Sequence, residues 1–202
     1  MGVAKAPKTL TFCGVPALPE PDAAGEVGEA EGRGPPGHNL QHFLAMEYLD
    51  GQGLERLLRI TGQRGDILPI HTSVRMIADA LDGLGYAHDL RGYDGTPLGV
   101  VHRDVSPQNI FVTYAGVVKL LDFGIAKQLD REKMRLTTTG TVLGTPYYMS
   151  PEQARGKEVD GRSDVWALGA VAFDAITGQP PFPGDNYNEV LAAILTDAVP
   201  TL

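Results

Sequence analysis

The stretch VVHRDVSPQNIFV, residues 100–112, decides how the rest of this sequence is interpreted. Apolar, largely β-branched residues flank a polar centre that contains Asp104 and Asn109. A second aspartate, Asp122, follows the apolar run VVKLL at residues 117–121. Strands joined by tight turns bring the residues at their ends to one mouth. We therefore predict that the side chains of Asp104, Asn109 and Asp122 face one cleft.

Three oxygen-bearing side chains at one mouth suit a hard cation and phosphate groups. Mg²⁺ prefers oxygen ligands, and one or two protein side chains usually hold it together with substrate phosphates. Asn109 and Asp122 can supply such ligands, and Asp104 can then accept the proton of an attacking hydroxyl. Taken singly, each of the three is equally well explained as a turn residue, because Asp and Asn side chains bond to their own local backbone.

Composition limits the class of protein. The chain has 202 residues, of which 43% are hydrophobic and 21% charged, as expected for one globular domain. A formal net charge of -8 argues against a nucleic-acid partner, which a basic patch would bind. No apolar run reaches the ~20 residues of a membrane span, and the N-terminus lacks a secretory signal pattern. We therefore expect no membrane span and a cytoplasmic protein.

The chain divides into a tail and a folded part. Residues 1–38 are rich in Pro, Gly, Ala and Glu, which predicts a low-complexity, disordered tail. The folded part, residues 39–202, begins with a predicted strand over 42–49. A loop at 50–53 and a short helix over 54–60 follow.

The rest of the folded part is predominantly helical in pattern. Helical spacing predicts a long helix that ends near a packed His88. Its expected buried stripe consists of Val74, Ile77, Ala78, Leu81 and Leu84. Strands are predicted around Val100, Phe111 and Val118. Residues 163–177 predict a helix that is buried all round, capped by Ser163 and ended by Gly178, and residues 188–195 predict an amphipathic helix.

Four separate motifs, in one order and at one spacing, resemble those of the eukaryotic-like (Hanks-type) serine/threonine protein kinases of bacteria. HRDVSPQN resembles their catalytic loop, LLDFG their metal-binding triplet, GTPYYMSPE the end of their activation segment and MEYL the hinge between their lobes. The resemblance covers residues 40–197. It implies an α+β, protein-kinase-like fold consisting of the hinge and most of the helical large lobe, with the small lobe largely absent.

The resemblance also implies a role for each matching residue. Asp104 would accept the proton of a Ser or Thr hydroxyl, and Thr145 would contact Asp104. Asn109 and Asp122 would hold the Mg²⁺ ions that bridge the phosphates of ATP. His102 and Phe123 would align the catalytic loop by packing, and Asp164 would brace the backbone of that loop.

Further positions match the nucleotide site and a regulatory site. Main-chain groups of Glu47 and Leu49 would meet the adenine of ATP, with Met46 shaping the pocket behind it and Phe111 forming its floor. Arg103 would pair with a phosphate that an upstream or partner kinase places on the activation segment. The candidate acceptors of that phosphate are Thr137, Thr139 and Thr141.

Two departures from the family pattern bear on function. Ser106 stands where serine/threonine kinases usually carry a lysine. Before Met46 we find no glycine-rich loop, phosphate-gripping lysine or partner glutamate. We therefore expect a kinase domain, acting on protein with ATP and Mg²⁺, that has little or no activity alone. A catalytically silent binding or scaffold module is the alternative, and GTPYYMSPE, a peptide-docking segment, argues against a small-molecule phosphotransferase.

Overall fold

The structure, a computed structural model, describes residues 47–123 and 146–202. In chain order its elements are β1 (Gly51–Gly53), α1 (Leu54–Gln63), α2 (Ile70–His88), β2 (Ile110–Thr113), β3 (Val118–Leu120), a 3₁₀ turn (Pro146–Tyr148), α3 (Pro151–Ala154), α4 (Gly161–Thr177) and α5 (Tyr187–Thr196). A small sheet with several helices confirms the expected α+β class. The predicted tail and residues 42–46 of the first predicted strand lie outside the described residues.

The sheet has the antiparallel order β1-β2-β3. Gly51 pairs with Thr113, and Ile110 pairs with Leu120. The strands predicted around Phe111 and Val118 are confirmed. The strand predicted around Val100 is wrong. Residues 98–101 form no strand, and the Val100 side chain packs against the core.

The region before α1 also differs from the prediction. Residues 47–49 are not a strand, and the loop predicted at 50–53 contains β1. Glycines have low strand propensity, so the pattern gave no sign of β1. Here the lack of a side chain is what the pairing requires, since a Cβ on Gly51 would lie 2.2 Å from the Val112 carbonyl oxygen.

Helix α2 packs against α4 and against β3 around one core. The predicted stripe of α2 is confirmed at Leu84, which is buried, and at Ile77, which packs against the core, but not at its other three residues. Val74 and Leu81 are 53% and 47% exposed, and Ala78 is exposed as well. The buried residues of α2 are Ser73, Met76, Ala80, Gly83, Leu84 and Ala87. This face is rich in small side chains, and the Ser73 hydroxyl donates to the Ala175 carbonyl of α4 at 3.2 Å. Close approach of the two helices therefore selects the face.

The first residue of helix α4 and the exposure of one of its faces differ from the prediction. Its N-cap is Asp160, whose carboxylate accepts a hydrogen bond from the Arg162 amide at 2.9 Å, and not Ser163. Its end at Gly178, which has a φ of 76°, is confirmed. The prediction of burial all round is wrong on one face, where Val165 is exposed.

A second, smaller cluster joins the C-terminal elements to α4. Phe182, Val190 and Ile194 form its buried centre. Trp166 of α4 stacks on Phe182 with the ring centroids 6.1 Å apart, and its indole nitrogen donates to the Met149 carbonyl at 3.1 Å. Within residues 47–123 and 146–202, no helix has the length and apolar character to cross a membrane.

The two leucines of α2, one buried and one largely exposed, test this packing. Leu84→Ala should lower the free energy of unfolding by about 2–5 kcal/mol, because Leu84 is fully buried in the core. Leu81→Ala should cost clearly less, about 1 kcal/mol or below, because that side chain is 47% exposed. Urea unfolding followed by circular dichroism measures both, and equal losses would contradict the assignment of the faces.

Candidate active site

The backbone of the catalytic loop, residues 102–109, is held by one buried carboxylate. Asp164 is 1% exposed in the first turn of α4. Its Oδ2 atom accepts a hydrogen bond from the His102 amide and its Oδ1 atom accepts one from the Arg103 amide, both at 2.8 Å. The predicted brace is confirmed. Arg103 has a φ of 66°, a backbone conformation that residues other than glycine rarely adopt unless their surroundings support it.

His88 completes the environment of Asp164. Its Nε2 atom lies 2.8 Å from Asp164 Oδ2, and this nitrogen must donate because a carboxylate oxygen only accepts. The predicted packed histidine is confirmed. Gly161, at the start of α4, makes room for the ring, since a Cβ there would lie 2.8 Å from His88 Nδ1.

His102 is a buried packing residue that joins the loop to the segment after β3. It is fully buried, and its ring centroid lies 4.5 Å from that of Phe123. Its Nδ1 atom accepts a hydrogen bond from the Asp104 amide at 3.3 Å, so its Nε2 atom carries the proton and donates to the Leu121 carbonyl at 2.9 Å. Burial lowers the pKa of His102, which favours this neutral form. The predicted alignment by packing is confirmed.

The structure brings Asn109 into contact with Asp104. The amide nitrogen of Asn109 donates to the Asp104 carbonyl at 2.8 Å and to the Asp104 Oδ2 atom at 3.2 Å. These two bonds fix the orientation of the Asn109 side chain. Because the nitrogen faces Asp104, the Oδ1 atom is the one that can coordinate a cation.

Asp122 lies at the same end of the sheet as Asn109. Asn109 directly precedes β2, and its carbonyl accepts a hydrogen bond from the Leu121 amide, just after β3, at 2.8 Å. Asp122 is the next residue; it is exposed and has a φ of 52°. The strand ends thus meet as the pattern predicted, and one amide oxygen and one carboxylate are a donor set that fits Mg²⁺ when phosphates complete its shell. Among the described residues, no three His, Cys, Asp or Glu side chains form a metal cluster.

The structure describes three of the residues that we expect to contact the nucleotide. Leu49 and Phe111 are half-buried, and Glu47 is exposed. The Glu47 carboxylate binds the ammonium group of Lys119, with Nζ and Oε2 2.6 Å apart. Sequence analysis missed Lys119, although a charged residue inside the apolar run VVKLL is a signal of it.

Arg103 also contacts helix α3. Its carbonyl accepts a hydrogen bond from the Gln153 side chain of α3 at 2.8 Å. Its Nε atom is buried and has no hydrogen-bond partner among residues 47–123 and 146–202. Several predicted site residues lie outside the described part of the chain: Met46, Thr137, Thr139, Thr141 and Thr145.

Helix α3 is tied to the elements around it by polar side chains. The Ser150 hydroxyl accepts a hydrogen bond from the Gln153 amide, and the Gln153 side-chain oxygen accepts one from the Ser150 amide at 2.9 Å, so a reciprocal capping box starts the helix. Glu152 accepts a hydrogen bond from the Ser163 hydroxyl of α4. The segment that follows residue 145 is therefore anchored both to α4 and to the catalytic loop.

The sequence is similar to known proteins. The family model for the protein kinase domain matches residues 37–201. The chain is 45% identical over 170 residues to the tyrosine-protein kinase MasK of Myxococcus xanthus, and the aligned region covers 84% of this chain and 25% of that protein. It is 38% identical over 161 residues to the serine/threonine-protein kinase PknB of Mycobacterium leprae, with 80% and 23% covered.

A third relative is the probable serine/threonine-protein kinase PknB of Bifidobacterium longum, which is 39% identical over 144 residues, or 71% of this chain and 19% of that protein. The chain spans about a quarter or less of the length of these curated relatives. The family model covers most of the chain, including the braced catalytic loop and the ends of the strands that follow it. The resemblance that the motifs predicted is therefore confirmed, and the chain belongs to the protein kinase family.

Proposed function

We propose that residues 39–202 are part of a serine/threonine protein kinase domain that transfers the γ-phosphate of ATP to a hydroxyl group of a protein. The observation that carries the proposal is the contact between Asn109 and Asp104 at the end of the sheet where Asp122 also lies. A base and two oxygen donors at one place are what phosphoryl transfer requires of this wall of a site.

In this proposal Asp104 accepts the proton of the substrate hydroxyl as the hydroxyl oxygen attacks the γ-phosphorus of ATP, the bond from that phosphorus to the bridging oxygen breaks and ADP leaves. The Asn109 amide donates to the carboxylate and the carbonyl of Asp104, so the base is held in one orientation before the substrate arrives. Asn109 Oδ1 and the Asp122 carboxylate would hold Mg²⁺. The bound ion would neutralise charge on the phosphates of ATP.

The nucleotide would lie against the hinge. Main-chain groups of Glu47 and Leu49 meet the adenine, Met46 shapes the rear of its pocket and Phe111 forms its floor. The half-buried state of Leu49 and Phe111 supports this placement, because a side chain at the wall of a pocket is only partly covered by protein.

Arg103 would serve regulation. Its buried Nε atom supports a pairing with a phosphate on Thr137, Thr139 or Thr141, because a buried guanidinium nitrogen is stabilised by an anion. An upstream or partner kinase would add that phosphate. Thr145, close to the same segment in sequence, would contact Asp104 and help to define the acceptor.

Replacement of the base tests the proposed activity. Residues 39–202, fused behind the small lobe of a related kinase, should phosphorylate a protein substrate, whereas the 202-residue chain alone should stay near background. Asp104→Asn in the fusion should lower kcat by about 10²–10⁴-fold, because the proton acceptor is lost. A radiolabel transfer assay measures these rates.

The matched control is Asp66→Asn, which removes an exposed carboxylate between α1 and α2 and should leave the rate unchanged. Equal rates for the fusion and its Asp104→Asn variant would contradict the role of Asp104. A fusion that binds protein but transfers no phosphate would support the alternative, a catalytically silent binding or scaffold module.

A tyrosine acceptor is the second candidate, favoured by the 45% identity to a protein named as a tyrosine kinase and by Ser106 in place of the usual lysine. We expect serine or threonine, as in the relatives named as serine/threonine kinases. Phosphoamino acid analysis of a substrate that contains all three hydroxyl residues should find phosphoserine or phosphothreonine. Phosphotyrosine alone would contradict the serine/threonine assignment.

A further inference from the structure

Lys119 is a charged residue in the middle of β3 that the proposed chemistry does not use. It is only 9% exposed, and an ammonium group removed from water is stable only when a charged or polar group binds it. The Glu47 carboxylate does so at 2.6 Å, across 72 positions of sequence. The ion pair therefore joins the sheet to the hinge.

A second contact holds the other end of the same segment. The Tyr114 amide, just after β2, donates to the Asp50 carbonyl at 2.9 Å, and the pairing of Gly51 with Thr113 follows directly. Residues 48 and 49 thus lie between two attachments to the sheet. The attachment at Asp50 uses the backbone, whereas the attachment at Glu47 uses the side chains of Glu47 and Lys119.

The position of Lys119 separates it from the phosphate end of the site. It precedes Asp122 by three residues, which in a strand correspond to about 10 Å. It lies opposite Phe111 in the register of β2 and β3, and directly opposed residues project to the same face of a sheet. Lys119 therefore belongs to the hinge end, beside the proposed adenine floor.

We propose that Lys119 is a positioning residue of the adenine subsite, which acts by holding the Glu47 carboxylate and with it the main chain of the hinge. The inference rests on the proposed binding of ATP. Recognition of adenine by main-chain groups at 47 and 49 needs both groups at fixed positions, and a mobile segment would bear the entropic cost of ordering at each binding event. The ion pair removes part of that cost in advance.

Backbone ¹⁵N relaxation of the unliganded 202-residue chain tests the positioning without nucleotide. Lys119→Met keeps the apolar stem and removes the charge, and Glu47→Gln removes the partner charge. Each should lower the order parameters at 48 and 49 from values near those of a rigid backbone, about 0.85, toward those of a flexible segment, about 0.6. Lys119→Arg should restore the high order parameters, and Lys157→Met, at an exposed lysine, should leave them unchanged.

Binding of ADP and of inorganic tripolyphosphate to the fusion with a small lobe then tests the adenine role. Lys119→Met should weaken ADP binding by about two- to fivefold and leave tripolyphosphate binding unaffected. The double variant with Glu47→Gln should be no weaker than either single variant, since both remove one interaction.

Three results separate the claims. Unchanged order parameters at 48 and 49 in Lys119→Met would overturn the inference. An equal loss of ADP and tripolyphosphate would also overturn it, because Lys119 would then act on the phosphates. If the fusion with a small lobe binds no ADP while Lys119→Met still lowers the order parameters at 48 and 49, the proposed function and the adenine role fail, but the hold of the ion pair on the hinge is supported.

Discussion

The buried carboxylate of Asp164 is the group on which the arrangement of this lobe depends. An ionised carboxylate with almost no solvent contact is stable only when donors surround it. Here the donors come from the end of α2 through His88 and from the start of the catalytic loop through two backbone amides. If any of these elements is displaced, the carboxylate loses a hydrogen-bond donor. The packing of α2 against α4 and the conformation of the catalytic loop therefore depend on each other.

The catalytic loop gains its shape from contacts on both sides. Asp164 holds the amide of Arg103, a residue with a positive φ, and the His102 ring ties the loop to the Leu121 carbonyl and to Phe123. Among the described residues other than glycine, Asp122 is the second one with a positive φ, and in sequence it lies between Leu121 and Phe123. Unfavourable backbone conformations persist when the surroundings determine them, and both occur where the proposed chemistry needs a side chain aimed in one direction.

Much of the site could be predicted because its signals are local. Asp104, Asn109 and Asp122 stand at fixed distances from apolar strand residues, and antiparallel pairing then brings Asn109 and the segment that ends in Asp122 together. Apolar spacing predicted the buried face of α2 only in part, at Ile77 and Leu84, because close approach to α4 favours small residues over Val74 and Leu81. Strand β1 and the Lys119 ion pair were missed for a similar reason: each depends on a partner more than 50 positions away in sequence.

The central claim is that Asp164 holds the catalytic loop in place, and amide hydrogen exchange tests it most directly. In the wild-type chain the amides of His102 and Arg103 should exchange slowly. In Asp164→Asn, which keeps the size of the side chain but loses a charge and an acceptor, both should exchange faster by about tenfold or more, the loss expected when charge-assisted hydrogen bonds are removed. The amide of Val171, in the core of α4, should stay protected and exclude global unfolding. Unchanged protection of His102 and Arg103 in Asp164→Asn would contradict the account.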